Sequence, residues 1–243
     1  DEGWMWLLRF ENGVTSAGLV LDATRSSQAP SLSPQAEWQQ SLERYPSLLQ
    51  MFARATQVDP PGPLVRIARL QRRWQRIVGS NWAALPHTAG FIDPLHSTGI
   101  AQSLCGVERL AAVLQQHWQR PTQTAALLRY QESVLSEMDF VDQLVAACYQ
   151  GLARFPLLVA CSMLYFAAAT TYEERRAAGD QSLDFLCANN PQLRATVTRL
   201  VSRLGKVESA ADVDAFADDL ADAIRPFNTV DLCNPTRRNM YPY

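Results

Sequence analysis

The chain has 243 residues, of which 47% are hydrophobic and 19% are charged, which is enough apolar material for a sizeable core in one or two domains. Its formal net charge of −2 excludes a global positive field that would attract nucleic acid. The five cysteines form no C-x-x-C pair and the three histidines have no metal-ligand spacing, so we expect reduced thiols in the cytoplasm and no protein-held metal.

Two strand candidates open the chain. Residues 4–10 and 14–20 flank the sequence "ENG", and Asn-Gly is the strongest short signal for a hairpin. Because a two-stranded hairpin is marginally stable alone, we expect it to belong to a larger sheet. The chain opens "DEGWMWLLRF", already in a strand, with no initiator Met or signal peptide, so we expect it to be the interior of a longer protein.

Two short helices and an extended segment follow. Ser33 is a predicted N-cap with Pro34 as the first helical residue, and a second helix is predicted over 46–55. Segments 64–70 and 72–78 are rich in Val, Ile, Leu and Arg and are predicted to be extended. Their clustered arginines are interpreted as a solvated strand face in preference to a phosphate-binding patch.

The second half of the chain is predicted to be almost entirely helical. Helices are expected over 99–117, 122–152, 156–177 and, as two or three shorter pieces, within 180–224, before an irregular tail. The longest apolar run has 14 residues, from Leu157 to Thr170, whereas about 20 are needed to span a bilayer, so we predict a buried helix and no membrane span. The fold class is α+β, mostly α, with a boundary between residues 98 and 99.

The segment "GFIDPLHSTGIAQSL", residues 90–104, joins the two parts. A helix N-terminus has unpaired N–H groups and binds anions readily. Gly99 permits a ligand to approach the backbone and can take positive φ, Pro94 fixes the turn, and Ser97 or Thr98 can cap the helix. The alternative is an ordinary Ser/Thr cap without a ligand.

This segment resembles the flavin-dependent halogenases, within the FAD-dependent monooxygenases of the p-hydroxybenzoate-hydroxylase fold class. That family has a D/E-P-L turn and then S-T-G or S-S-G at a helix start beside the flavin. Its W-x-W-x-I-P signature resembles "WMWLLR" at residues 4–9, and the tail "NTVDLCNPTRRNMYPY" is similar to other members. The resemblance implies substrate-domain strands over 1–98 and a helical C-terminal part over 99–243.

The resemblance also implies roles for residues around the S-T-G turn. The backbone amides of Thr98 and Gly99 would hold a halide or oxygen species near FAD. Ile100 would contact the flavin, and Asp93 and Pro94 would form the cofactor-binding turn. The structural alternative for Asp93 is to cap its own turn or to pair with an arginine.

Three further positions bear on the chemistry. Trp4 and Trp6 would line the region between flavin and substrate, although strand aromatics usually belong to a core. His96 is the candidate catalytic residue, where tryptophan halogenases keep a Glu and phenolic-type halogenases an apolar residue. It can instead line a pocket, hydrogen-bonded to backbone, and His87 is a loop residue that can face the cofactor. Glu108 and Arg109 are expected to form a local ion pair.

The implied function is that of a halogenase-like FAD-dependent oxidoreductase, which uses reduced flavin and O2 to halogenate or hydroxylate a small-molecule or carrier-bound substrate. A flavin reductase and chloride or bromide are its expected partners. No G-x-G-x-x-G fingerprint occurs among the 11 glycines, and the family's catalytic Lys lies upstream of W-x-W, so we expect this chain alone to be an inactive fragment.

Two alternatives remain open. One is a non-halogenating hydroxylase or reductase of the same fold, which His96 and Arg9 favour because each departs from the family pattern. The other is a non-catalytic helical interaction module.

Overall fold

A computed structural model describes residues 3–22, 32–58, 62–234 and 236, so residue 235 and residues 237–243 of the final tail lie outside the described residues. The chain divides into two compact units, Asp1–Arg69 and Leu70–Tyr243, which are described in turn. Helices predominate and strands are few, as predicted. The domain boundary predicted after residue 98 falls inside the second unit.

The first unit begins with the predicted β-hairpin. Strand β1, Gly3–Arg9, pairs antiparallel with β2, Thr15–Leu21. In the connecting turn Gly13 has φ 82°, a conformation that favours glycine, and Asn12 Oδ1 accepts a hydrogen bond from the amide of Val14 at 3.0 Å. Among the described residues no further strand pairs with this hairpin.

Two short helices complete the regular structure of this unit, α1 at Pro34–Arg44 and α2 at Pro46–Phe52. Ser33 is the N-cap of α1, and its Oγ accepts from a first-turn amide at 3.2 Å, which confirms the predicted helix start. The two helices contact each other edge to face through Trp38 and Phe52, whose ring centroids lie 5.4 Å apart.

The prediction of extended structure over 64–78 was largely wrong. The only strand there is β3, Arg72–Arg73, which pairs antiparallel with β4, Gly90–Phe91. Val65 and Ile67 are 80% and 61% exposed because no described strand covers them. The clustered arginines do not share one face, because four of the five bind separate partners. Arg66 pairs with Glu37, and Arg73 pairs with Asp139. Arg72 donates to the carbonyl of His87, and Arg76 donates to the carbonyl of Val78.

The second unit is helical, as predicted. Its helices are α3 at Pro86–Ala89, α4 at Thr98–His117, α5 at Gln123–Gly151, α6 at Phe155–Ala177, α7 at Pro191–Leu204 and α8 at Ala210–Ile224. Short 3-10 turns follow α6 and α8, at Phe185–Cys187 and Arg225–Phe227. Helix α7 begins at the cap Asn190, and α8 begins with a capping box between Ser209 and Asp212.

Helices α5 and α6 form the centre of this core. The predicted inward face of α5 is buried at Val134, Met138, Val141, Val145 and Cys148. Helix α6 is the one described helix that is long and apolar enough to cross a membrane, with mean hydropathy 1.5 over its best window. Half of that window is buried within the protein, as in a core helix.

Candidate functional site

The turn that enters α4 is held by its own aspartate. Asp93 Oδ1 accepts from the amide of Leu95 at 2.8 Å, and Oδ2 accepts from the hydroxyl of Tyr149 on α5 at 2.9 Å. The amide of Ser97 donates to the carbonyl of Pro94 at 3.0 Å. Burial raises the pKa of Asp93, although both hydrogen bonds oppose that shift. Asp93 and Pro94 therefore set the backbone path into the helix.

Thr98 is the first residue of helix α4, and the side-chain cap that was predicted from Ser97 or Thr98 is missing at the N-cap position, which is occupied by Ser97. That residue lies in the left-handed region, at φ 53° and ψ 30°, and its hydroxyl makes no capping hydrogen bond. The left-handed residue of the turn is thus Ser97 and not Gly99. No acceptor among the described residues meets the amides of Thr98 and Gly99, although Thr98 is only 6% exposed, so these two amides at the positive end of the helix are unpaired. Beside it, Ile100 is 77% exposed.

Two glycines allow α3 to pack closely on α4. A Cβ at Gly106 would lie 2.3 Å from the Pro86 ring, and one at Gly99 would lie 3.1 Å from His87 Nδ1. The imidazole of His87 therefore lies beside the backbone of Gly99, and its ring meets Phe91 edge to face at 5.6 Å. His87, predicted as a loop residue that can face the cofactor, thus lies on helix α3 beside the S-T-G turn.

His96 lies in a buried aromatic cluster. Its ring stacks on Tyr165 of α6 with centroids 4.0 Å apart, and its Nε2 lies 3.5 Å from the Sγ of Cys148 on α5. Burial lowers the pKa of His96 to about 4, so the imidazole is neutral at pH 7. Burial also raises the pKa of Cys148 to about 11 and that of Tyr165 to about 12. The cluster is therefore uncharged and can offer hydrogen bonds but no thiolate.

The two predicted tryptophans belong to the first unit. Trp4 and Trp6 share one face of β1, and their rings meet edge to face with centroids 6.2 Å apart. The Trp6 indole lies against Gly18 on the paired strand, where a Cβ would come within 1.9 Å of the ring. Glycine at that position thus makes room for the indole.

A buried ion pair was missed by the sequence analysis. Arg109 Nη2 contacts Glu137 Oε1 at 2.7 Å and Asp184 at 3.4 Å, whereas Glu108 pairs with Arg176 at 2.6 Å. The predicted local pair between residues 108 and 109 was therefore wrong, because the two side chains point to different helical neighbours. The side chain of Glu137 is fully buried, and burial raises its pKa although Arg109 opposes this.

The structure places the predicted residues of segment 93–100 at one corner of the second unit, where Ile100 is exposed and Thr98 is buried. A cavity of about 250 Å³ lies between α4 and α5 and is lined by both polar and apolar residues, among them Arg109, Val113 and Arg129, but none of the predicted site residues lines it. Among the described residues, no group of three His, Cys, Asp or Glu side chains is arranged to hold a metal ion.

Comparison with known proteins identifies the family of this chain. A family model described as tryptophan halogenase matches residues 1–155, which include both the W-x-W strand and the S-T-G turn. The chain belongs to the tryptophan halogenase family. This confirms the resemblance drawn from the two motifs.

Curated relatives are halogenases. Tetracycline 7-halogenase of Kitasatospora aureofaciens is 30% identical over 167 residues, which are 65% of this chain and 29% of that protein. Monodechloroaminopyrrolnitrin halogenase PrnC of Pseudomonas fluorescens is 31% identical over 167 residues, 65% of this chain and 28% of that protein. The flavin-dependent halogenase armH1 of Armillaria mellea is 29% identical over 118 residues, 44% of this chain and 22% of that protein.

Among solved structures, the halogenase PltM shares the fold with a TM-score of 0.73 at 21% identity, over 93% of this chain and 50% of that chain. The same halogenase in complex with phloroglucinol and FAD also gives a TM-score of 0.73. The chain thus spans about half of PltM and less than a third of the curated relatives that it matches.

Proposed function

We propose that the protein containing this chain is a halogenase-like, FAD-dependent oxidoreductase that uses reduced flavin and O2 to halogenate or hydroxylate an organic substrate. The observation that carries the proposal is family membership over a region that contains an uncapped S-T-G helix start. FAD is named with PltM, and armH1 is named as flavin-dependent. Reduced FAD would supply the electrons for O2 activation.

The residues at this corner would lie against one edge of a flavin ring. Ile100 offers an exposed apolar side chain, and the turn held by Asp93 and Pro94 presents the helix end. We assign the contact with the ring to these three residues. The amides of Thr98 and Gly99 would donate to a halide or oxygen species, because they have no acceptor among the described residues and carry the positive end of the helix dipole.

The two parts of the chain would then have different tasks. Residues 1–98 would contribute substrate-domain strands, with Trp4 and Trp6 lining the region between flavin and substrate. Residues 99–243 would contribute the helical support. The substrate would be a small organic molecule, since phloroglucinol is the compound named with PltM and the curated relatives are named for tetracycline and monodechloroaminopyrrolnitrin.

His96 would act as a neutral hydrogen-bonding group. Because its pKa is about 4, the ring is neutral at pH 7 and carries a single N–H. It therefore cannot act as an imidazolium general acid at that pH. The departure at residue 96 from the glutamate of tryptophan halogenases motivates a second candidate, a hydroxylase of the same fold that does not halogenate.

The test is an assay of the protein expressed from the full reading frame that contains this chain. FAD binding is measured by absorbance, and turnover is measured with a flavin reductase, chloride or bromide, and a panel of phenols, indoles and pyrroles. Halide-dependent halogenated product supports the first candidate. Hydroxylated product that forms equally without halide supports the second. Protein that binds no FAD overturns both.

A further inference from the structure

Three side chains form a short row that begins at His96. The Nε2 of His96 lies 3.5 Å from the Sγ of Cys148 on α5, and that sulfur lies 3.8 Å from the Oγ of Ser162 on α6. Cys148 is fully buried, and burial raises its pKa to about 11, so the thiol is protonated at pH 7. The two contacts of the sulfur share one S–H proton, so Cys148 is the donor in only one of them.

Ser162 fixes the direction of this row. Its hydroxyl donates to the carbonyl of Leu158, one turn earlier on α6, at 2.9 Å. A hydroxyl has one proton and two lone pairs, so the proton committed to Leu158 leaves Ser162 Oγ as an acceptor toward Cys148. The S–H of Cys148 therefore points to Ser162, because the opposite arrangement would set lone pairs of the sulfur and the oxygen against each other.

The sulfur is consequently an acceptor toward His96. Its own proton is directed to Ser162, so the contact between Nε2 and Sγ requires a hydrogen on Nε2. A neutral imidazole carries a single N–H, so Nδ1 is then unprotonated and can only accept. Nδ1 makes no hydrogen bond to the part of the chain that the structure describes.

Two aromatic neighbours hold the ring in the orientation that this row requires. The imidazole stacks on Tyr165 with an interplanar angle of 9°, and the ring of Phe166 meets it edge to face with centroids 6.0 Å apart. Turning the imidazole over would place a ring carbon where Nε2 now lies and would break the contact with Cys148. The ring is therefore oriented by one hydrogen bond and one stacked neighbour.

We propose that Cys148, oriented by Ser162, is a positioning residue that fixes His96 in the Nε2–H tautomer and leaves Nδ1 as a hydrogen-bond acceptor. The neutral ring then offers a lone pair at the residue where the resemblance implies a glutamate in tryptophan halogenases. A substrate hydroxyl or N–H is the kind of donor that this nitrogen would take. The role in the reaction rests on the proposed function, whereas the tautomer rests on the contacts of these three side chains alone.

The tautomer is measured by ¹⁵N NMR of the protein expressed from the full reading frame and labelled with ¹⁵N-histidine. Protonated and unprotonated ring nitrogens resonate far apart, and the His96 signals are those missing from His96→Phe. We expect Nε2 to be protonated and Nδ1 to be unprotonated in the wild type at pH 7. A protonated Nδ1 would overturn the proposal.

Two substitutions test the direction of the row. Ser162→Ala removes the acceptor of the thiol proton, so Cys148 can donate to Nε2, and the Nδ1–H tautomer should increase. The matched control is Ser202→Ala on α7, whose hydroxyl also donates to a carbonyl four residues earlier, at 2.8 Å. Cys148→Ala should leave both tautomers populated, whereas Cys161→Ala, which removes another fully buried thiol, should keep the wild-type signals. Signals of Ser162→Ala and Cys148→Ala that match their controls would sink the relay.

Turnover distinguishes a role in the reaction from a structural role. We expect Cys148→Ala to lower kcat by about threefold to tenfold, because the ring loses its fixed tautomer and orientation, and Cys161→Ala to leave kcat unchanged. A changed tautomer with unchanged kcat would remove Cys148 from the reaction. If the wild type binds no FAD and forms no product, the proposed function falls, but the ¹⁵N spectra still decide the tautomer. If product forms while Nδ1 carries the proton, only this inference falls.

Discussion

The burial of His96 predicts a specific loss of stability in mild acid. Its pKa falls from 6.5 to about 4 on folding, because the ring is desolvated against Tyr165 and Cys148. The unfolded chain therefore binds the proton more readily than the folded protein between these values, and stability falls as pH decreases through this window. Linkage gives a loss of up to about 2 kcal/mol between about pH 7 and about pH 5. Partial exposure of the ring reduces that figure.

The assay is urea unfolding at both pH values for the wild type and for His96→Phe. Phenylalanine keeps an aromatic ring against Tyr165 but cannot titrate, so the difference between the two pH dependences isolates His96 from all other groups. We expect the wild type to lose about 1–2 kcal/mol more than the variant. Proton NMR of the imidazole Cε1–H gives a direct check, since the signal missing from the variant belongs to His96.

Two results would refute this reasoning. One is an equal loss of stability in the wild type and in His96→Phe. The other is a His96 resonance that titrates with a midpoint near 6.5, its ordinary value. Either result would mean that the folded protein accommodates an imidazolium two residues before Thr98. His96 could then act as a general acid.

Two further substitutions test the packing that positions the corner. Glu137→Leu leaves the partly buried Arg109 with only Asp184, at 3.4 Å, as its partner and should lower the free energy of unfolding by at most about 3–5 kcal/mol in a urea titration, whereas adding Arg109→Met should recover much of this loss. Gly106→Val forces a side chain against Pro86 and should cost about 1–3 kcal/mol or more by thermal melting, while Gly205→Ala, with open space around its Cβ, should change Tm little.

The helices and the hairpin were predictable because their determinants are local. Ser33 and Pro34 specify a helix start through one side-chain hydrogen bond and one fixed φ, and both occur as predicted. Gly13 in the Asn-Gly turn specifies the reversal between the first two strands. The apolar spacing from Val134 to Cys148 specifies the buried face of α5. Each of these signals needs only a few neighbouring residues.

The prediction of extended structure over residues 64–78 was wrong because a strand needs a partner strand. Apolar residues such as Val65 and Ile67 resemble a strand in the sequence, but no described strand lies beside them. The left-handed conformation of Ser97 could not be predicted from the local sequence, because glycine, which occurs at residue 99, favours positive φ and serine does not. The packing of α3 against Gly106 is a tertiary contact, and the local sequence pattern does not predict it.

The same packing gives the two histidines of the corner different roles. His87 lies exposed beside Gly99, whereas His96 is stacked on Tyr165 and stays neutral. A glutamate at residue 96, as the resemblance implies for tryptophan halogenases, would repel an anion at the nearby amides, but a neutral imidazole does not. The departure at residue 96 therefore replaces a charged proton acceptor with a neutral one, and it leaves the backbone amides of Thr98 and Gly99 unchanged. It argues for altered proton handling and not for the loss of halide binding.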